Sequence, residues 1–314
     1  MTATMPAAQR TVLGWDLGGA HVKAALAREG RIEAAAQVPC ELWRGLDALD
    51  EALALLPDWA RTPAGHRVTM TGELADAFPD RVAGVAALSG WADGRLSGRV
   101  LIYGGREGFV LPAEAAGHAS AVASANWHAT ASLVGRLLPD ALLVDIGSTT
   151  SDLIPVAGGK PAAAGYTDAE RLGTGELVYT GAVRTPAMAF TDRAPFWGRW
   201  VGLMAEPFAT AADLHRLLGA LPDALDQQEA ADGKGKRPDE TRARLARTVG
   251  CDAADAPVVG CGAGRFMAER LAARLGRRFR DLAGLVPASG VDPSWISACA
   301  PAVAVALLDN TVLG

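Results

Sequence analysis

Residues 14–26 read GWDLGGAHVKAAL, and residues 143–155 read LVDIGSTTSDLIP. Each is an apolar run that ends in Asp-x-Gly, turns through small or hydroxyl residues and returns as a second apolar run. That is the pattern of two strands joined by a tight turn. Asp16 aligns with Asp145, Gly18 with Gly147 and Lys23 with Asp152, a constant offset of 145 − 16 = 129 residues. A single turn of this kind is ordinary hairpin chemistry. Its repetition at about the length of a domain predicts two related α/β halves.

Outward from the first copy, residues 11–17, 21–27 and 32–38 read as strands. Residues 46–56 read as a helix, because Leu46, Leu49, Leu53 and Leu56 share one helical face. A strand at 68–71, a helix at 82–96 and a strand at 100–103 follow, then one long Ala-rich helix over 117–138, stopped by Pro139. The second half has strands at 141–146 and 151–156 and an irregular stretch at 165–210. A helix over 211–218 comes next, with Thr210 and Asp213 at capping-box-like spacing. Residues 226–241 are charged and Gly-punctuated, a solvated loop, and 242–249 resume as a helix. A strand at 257–261, a Gly-Ala-Gly turn, a helix at 266–275 and a closing apolar helix at 301–308 complete the reading. The expected lobes are 1–140 and 141–299, with residues 300–314 packing back on the first.

Composition narrows the function. The chain has 314 residues, half of them hydrophobic but only 6% aromatic, with 36 glycines, so its core is built from Ala, Val and Leu with close backbone approach. Thirty Lys and Arg against 35 Asp and Glu leave a net charge of −5, which argues against a nucleic-acid partner. No apolar run reaches the roughly 20 residues that span a bilayer, and residues 1–10 lack a secretory apolar stretch, so the expected address is the cytoplasm with no membrane partner. Cys40, Cys251, Cys261 and Cys299 are scattered without CxxC spacing, which favours free thiols over disulfides or structural zinc.

An Asp-x-Gly turn between strands points backbone N–H groups and hydroxyls into one concavity, where phosphate oxygens bind. Gly18, Gly19, Gly147, Ser148, Thr149 and Thr150 are the candidates for that cradle. A carboxylate cannot touch phosphate directly, since two like charges 4 Å apart cost about 4 kcal/mol at an effective dielectric near 20. Asp16 and Asp145 therefore call for Mg²⁺, bound directly or through its waters. Lys23 is placed to reach a phosphate, and its counterpart Asp152 makes the second turn more anionic. Gly260, Gly262 and Gly264, between a strand and a helix, form a third phosphate- or nucleotide-like turn. Cys261, among those glycines, reads as a small buried residue.

These three segments in this order resemble the acetate and sugar kinase/Hsp70/actin superfamily. The resemblance implies two ribonuclease-H-like lobes around a central cleft. A narrower set, GWDLGGAHVKAA, VTMTGELADAF, SANWHATA, VDIGSTTSDLIPV, GELVYTGAVRTP, EPFATAADL and RLARTVGCD, resembles the hydantoinase/oxoprolinase-related proteins of tetrahydromethanopterin-linked one-carbon metabolism. That resemblance implies a transferase of methylofuran biosynthesis. It would join an (aminomethyl)furanmethyl diphosphate to a phenolic tyramine- or tyrosine-type acceptor and release pyrophosphate. The first loop departs from the larger hydantoinases by carrying Ala20-His21.

Attack by a phenol oxygen needs a general base, and His21, Glu73, His128 and Glu176 are the available groups, with His21 first because it sits in the phosphate turn. Glu73 reads equally well as a carboxylate at a helix N-terminus. Asn126, His128, Glu176 and Arg184 are the candidates for holding the acceptor, with Trp197 and Trp200 beside them; a surface patch or a contact in a homo-oligomer is the other reading of the Arg and Trp groups. Without the narrower resemblance, the superfamily implies an ATP-dependent small-molecule kinase or ATPase, and after it a non-catalytic nucleotide-dependent partner protein.

Overall fold

A computed structural model describes residues 11–196, 199–203, 210–212, 215, 220–222, 257–274 and 277–308. The expected loop at 226–241, the helix at 242–249, Asp213, Trp197 and Cys251 lie outside the described residues. The chain divides into two compact units. One gathers the described residues within Met1–Pro139, Val156–Pro161 and Leu282–Gly314, the other those within Asp140–Pro155 and Ala162–Asp281.

The first unit holds β1 (Thr11–Leu17), β2 (His21–Arg28), β3 (Arg31–Pro39), β4 (Ala64–Met70), β5 (Gly98–Tyr103) and β6 (Phe109–Val110) in the order β3-β2-β1-β4-β5-β6. β1, β2 and β3 pair antiparallel, while β4 joins β1 in parallel and β5 joins β4 in parallel. Three antiparallel strands followed by two parallel ones, in the order 3-2-1-4-5, make a ribonuclease-H-like half. Both faces of β1 are buried, as the parallel position requires. Leu13, Trp15 and Leu17 point into a core shared with Leu49 and Ala52 of α1 (Asp47–Leu55) and Val85 and Leu88 of α2 (Arg81–Arg95). The alternate residues Val12, Gly14 and Asp16 face the other way. There α8 (Ala300–Leu307) lies so close that a Cβ on Gly14 would sit 1.9 Å from the Ala302 carbonyl oxygen. Only glycine permits that approach.

The expected helix over 117–138 is two. A 3₁₀ turn leads into α3 (Ala119–Val122), the chain breaks at residues 123–125, and α4 (Asn126–Leu137) starts afresh. No Gly or Pro marks the break. Ser124 adopts a left-handed backbone, φ +53, which its type does not announce.

The second unit repeats the plan around β7 (Ala141–Ile146), with β8 (Ser151–Ala157) on one side and β13 (Val258–Cys261) on the other, in the order β10-β8-β7-β13-β14. β7, β13 and β14 (Phe279–Asp281) are parallel, and β10 (Leu177–Val178) pairs antiparallel with β8, whose last two residues fall in the first unit with β9 (Lys160–Pro161), their antiparallel partner. The stretch expected to be irregular contains α5 (Asp168–Thr174), β10 and a separate hairpin of β11 (Arg193–Phe196) and β12 (Arg199–Gly202). α5 begins at a capping box, in which Thr167 accepts from Glu170 N–H and the Glu170 carboxylate accepts from Thr167 N–H, and it ends at Gly175 with φ +77. α6 (Arg265–Arg274) follows the Gly-Ala-Gly turn, and α7 (Pro293–Ala298) precedes α8. Among the described residues no helix is long and apolar enough to cross a membrane.

Candidate functional site

The turn after β1 is closed by Gly18 N–H donating to His21 O at 3.0 Å. Ala20 O accepts from Cys40 N–H and Gly19 O from Leu42 N–H, which ties the turn to the end of β3. A Cβ on Gly18 would meet His21 O at 2.8 Å, whereas one on Gly19 would meet nothing within 4 Å, so Gly19 faces open space. Asp16 is 2% exposed, and Lys23 Nζ sits 3.1 Å from its Oδ2. The partner follows from register: Asp16 pairs with Lys23 across β1–β2 and with Thr69 across β1–β4, which puts all three on the same face. The buried Asp16 Oδ1 and Thr69 Oγ1 have no hydrogen-bond partner among the described residues. Thr69 was not among the expected site residues; a lone hydroxyl inside the apolar 68–70 run is the signal that could have singled it out.

The segment 71–73 packs on this turn. Thr71 and Gly72 both donate N–H to Leu17 O, at 3.1 and 2.9 Å, and a Cβ on Gly72 would come within 3.3 Å of Gly18 C. Glu73 is buried; its Oε1 accepts from Ser124 Oγ at 2.9 Å and lies 3.8 Å from Arg81 Nε. Asp16, Gly18, Gly19, His21, Lys23 and Glu73 therefore gather around one turn. His128 stands apart from these contacts on α4: its Nδ1 lies 2.9 Å from Tyr103 Oη and 3.3 Å from Ser132 Oγ. Burial first, then the positive charge of Arg106, lowers its pKa to about 4, so it is neutral at physiological pH. Trp127 is buried edge-on to His128, and Asn126, half-buried, opens the helix.

In the second unit, Gly147 N–H donates to Thr150 O at 2.9 Å, the same bond as Gly18 to His21 at the same 129-residue offset. Gly147 O accepts from Ala182 N–H, and Ser148 O from Val183 and Arg184 N–H. A Cβ on Gly181 would strike Thr149 N at 2.5 Å, so glycine is needed for this backing; the residue was overlooked, although GELVYTGAVRTP contains it. The hydroxyl residues Ser148, Thr149 and Thr150 remain half-buried, and the Arg184 side chain is exposed. Cys261 pairs with Asp145 across β7–β13, its thiol hydrogen-bonds the carboxylate, and burial and then that charge hold its pKa well above the ordinary value. It is a neutral thiol.

The third turn is built by packing. A Cβ on Gly260 would meet the Phe279 ring at 2.6 Å, one on Gly264 would meet Ile146 Cγ2 at 2.3 Å, and Gly262, at φ +79, would put one 2.5 Å from Asp145 Oδ1. Glu176 accepts Ala164 N–H at 2.7 Å, Gly165 N–H at 2.9 Å and Thr174 Oγ at 2.8 Å, so its carboxylate braces the start of α5. Asp152, at the position of Lys23, forms a buried ion pair with Arg171. Among the described residues no group of three His, Cys, Asp or Glu forms a ready metal site.

Two Asp-x-Gly turns with matched hydrogen bonds define a duplicated α/β protein. A family model described as hydantoinase/oxoprolinase matches residues 65–256, a span that includes the second turn and begins after the first. The chain belongs to the hydantoinase/oxoprolinase family. It is 31% identical over 242 residues, 77% of its own length and 72% of the relative's, to the (4-{4-[2-(γ-L-glutamylamino)ethyl]phenoxymethyl}furan-2-yl)methanamine synthase of Methanocaldococcus jannaschii. A protein of the same name from Methanococcus vannielii is 38% identical over 93 residues, 30% of this chain and 41% of that one. Among solved structures, the ethanolamine utilization protein EutJ from Carboxydothermus hydrogenoformans superposes with a TM-score of 0.46 at 14% identity, covering 96% of this chain and 90% of its own.

Proposed function

We propose that the protein is a transferase that forms a furanmethyl aryl ether. An (aminomethyl)furanmethyl diphosphate and the phenol of a tyramine- or tyrosine-type acceptor are its substrates, in the making of a methylofuran-type one-carbon carrier. The observation that carries the reading is the 31% identity to a synthase named for a product that joins a phenoxymethyl group to a furan. The duplicated phosphate-type turns supply the chemistry it needs.

In this reaction the bond between the furan methylene carbon and the diphosphate oxygen breaks, and pyrophosphate leaves with the electron pair. The phenol oxygen bonds to the methylene carbon, and the phenol proton passes to a base. Lys23 Nζ and the Gly19 N–H of the first turn, and the hydroxyls of Ser148, Thr149 and Thr150 of the second, are the proposed donors to phosphate oxygens, while the N–H groups of Gly18 and Gly147 close their own turns. We assign the base to Glu73, whose carboxylate is held by Ser124 and Arg81 beside the first turn. Glu176 is taken up by three donors, and the His21 ring, buried in the first turn, is the other candidate base. Asn126, His128 and Arg184 are the proposed contacts to the acceptor.

Asp16 suits a hard cation, because its buried Oδ1 and the neighbouring Thr69 Oγ1 are oxygens with no other partner among the described residues. Asp16 in the first unit and Asp145 in the second are each a proposed Mg²⁺ ligand, directly or through water. Bound there with phosphate oxygens, Mg²⁺ would neutralise charge on the leaving group.

The test incubates purified protein and Mg²⁺ with the furan diphosphate and a phenolic acceptor, and measures pyrophosphate and the ether. Glu73→Gln should lower turnover by about 10²-fold or more. Absence of ether with tyramine, tyrosine and their glutamylated forms, together with ATP hydrolysis stimulated by a metabolite, would replace the reading with a kinase or ATPase.

A further inference from the structure

Among the described residues only two non-glycines have positive φ, Glu29 at +48 and Ser124 at +53. Glu29 precedes Gly30, at φ +74, in the two-residue turn between β2 and β3, where such angles are ordinary. Ser124 has no such excuse. It stands in the break between α3 and α4, and a residue type that rarely takes this conformation persists there without the ease that glycine would bring. What serine adds is its hydroxyl, which donates to Glu73 Oε1 at 2.9 Å. The Glu73 backbone is clamped from the other side by α2, since a Cβ on Gly84 would lie 2.2 Å from Glu73 O. Arg81, from the first turn of α2, is the charged group facing the same carboxylate oxygen.

We propose that Ser124 is a positioning residue: the break between α3 and α4 exists to aim its hydroxyl at the buried Glu73 carboxylate and fix that carboxylate for proton transfer. The proposal rests on the reading of Glu73 as the base. A continuous helix through 117–138 would turn residue 124 onto a different bearing, so the interruption and the hydrogen bond are one device.

The test is Ser124→Gly in the full chain. Glycine takes φ +53 without a Cβ penalty, so the variant should fold with an unchanged or higher Tm while losing the hydroxymethyl group that donates to Glu73. With ¹³C-carboxyl-labelled glutamate, and Glu73 identified by its loss in Glu73→Gln, the Glu73 titration midpoint should rise by about half a unit or more, because a donor to the ionised form is gone. Ser124→Ala, which keeps the strain, should show the same rise with a lower Tm. Turnover should fall about tenfold with KM within about twofold, a fraction of what a positioned base supplies, and the acid limb of the pH–rate profile should move up with the NMR midpoint. An unmoved Glu73 midpoint in Ser124→Gly overturns the proposal whatever the reaction. A midpoint that moves, in a protein that makes no ether from any phenol, overturns the assigned duty of Glu73 and the reaction together while leaving the hydrogen bond in place.

Discussion

The turns at Asp16 and Asp145 share a hydrogen bond, a spacing and a place in their sheets, yet their charges are balanced differently. In the first, Asp16 meets Lys23 seven residues on, along the returning strand. In the second, the seventh residue is Asp152, which is neutralised by Arg171 from α5, while Asp145 takes a thiol from Cys261. A backbone frame thus survives duplication because it is made of main-chain bonds. Side chains on that frame diverge, since each buried charge needs only some partner, from whichever element lies near. The first turn keeps its cation on the returning strand beside Asp16, and the second takes its cation from α5.

Breaking that divergence should have its largest effect at Arg171. Arg171→Met removes the guanidinium from the buried Asp152 carboxylate and should cost about 3–5 kcal/mol in urea unfolding, with most of the loss recovered in the double variant that adds Asp152→Leu. Full stability in the single variant would mean that Asp152 does not need its partner.

Acid should expose a second contrast, located in the first sheet. Trp15 Nε1–H donates to His66 Nδ1 at 3.0 Å, a bond that requires the neutral ring, and burial lowers the His66 pKa to about 4. The folded value lies below the unfolded value near 6.5, so the unfolded chain binds the proton first. Stability is therefore complete above about pH 6.5 and is lost as pH falls toward 4, by up to about 3 kcal/mol from this ring. His66→Gln, which can still accept from Trp15, should flatten the unfolding midpoint over that window; an equally steep profile would point to other groups.

The turns themselves should differ more gently. A Cβ on Gly18 meets His21 O at 2.8 Å and one on Gly147 meets Thr150 O at 3.4 Å. Gly18→Ala should lower stability by about 1–3 kcal/mol, and Gly147→Ala by less than about 1. Equal losses in thermal unfolding would show that the two turns relax alike. Smallest of all, Gly19→Ala meets open space at an ordinary φ and should stabilise by about 0.4–1 kcal/mol.

Much of the frame was legible because it is written in periodicity and repetition. The strands around Asp16 and Asp145 and the apolar closing helix follow from runs of Val, Leu, Ile and Ala between glycines. The break at Ser124 was not legible, since an Ala-rich stretch without Gly or Pro gives no sign that one serine has left the helical region. Nor was α5, though Thr167 and Glu170 stand at capping-box spacing, because only seven residues separate cap from Gly175. The turn residues follow from their own motif, whereas Thr69 and Ser124 join the surroundings of the first turn through strand register and a helix break, and Gly181 backs the second through main-chain packing, all of which join residues distant in sequence.

Gly14 has a consequence for how the chain is made. It leaves the groove in which α8 lies against β1, and 300 − 17 = 283 residues separate the end of β1 from the start of α8. At ribosomal rates of about 5–20 residues per second, β1 waits roughly 14–57 seconds before its covering helix is synthesised. During that interval Val12 and the Gly14 groove are bare apolar surface on a nascent polypeptide, and the sheet that carries Asp16 is covered on this face only once residues 300–307 have been translated.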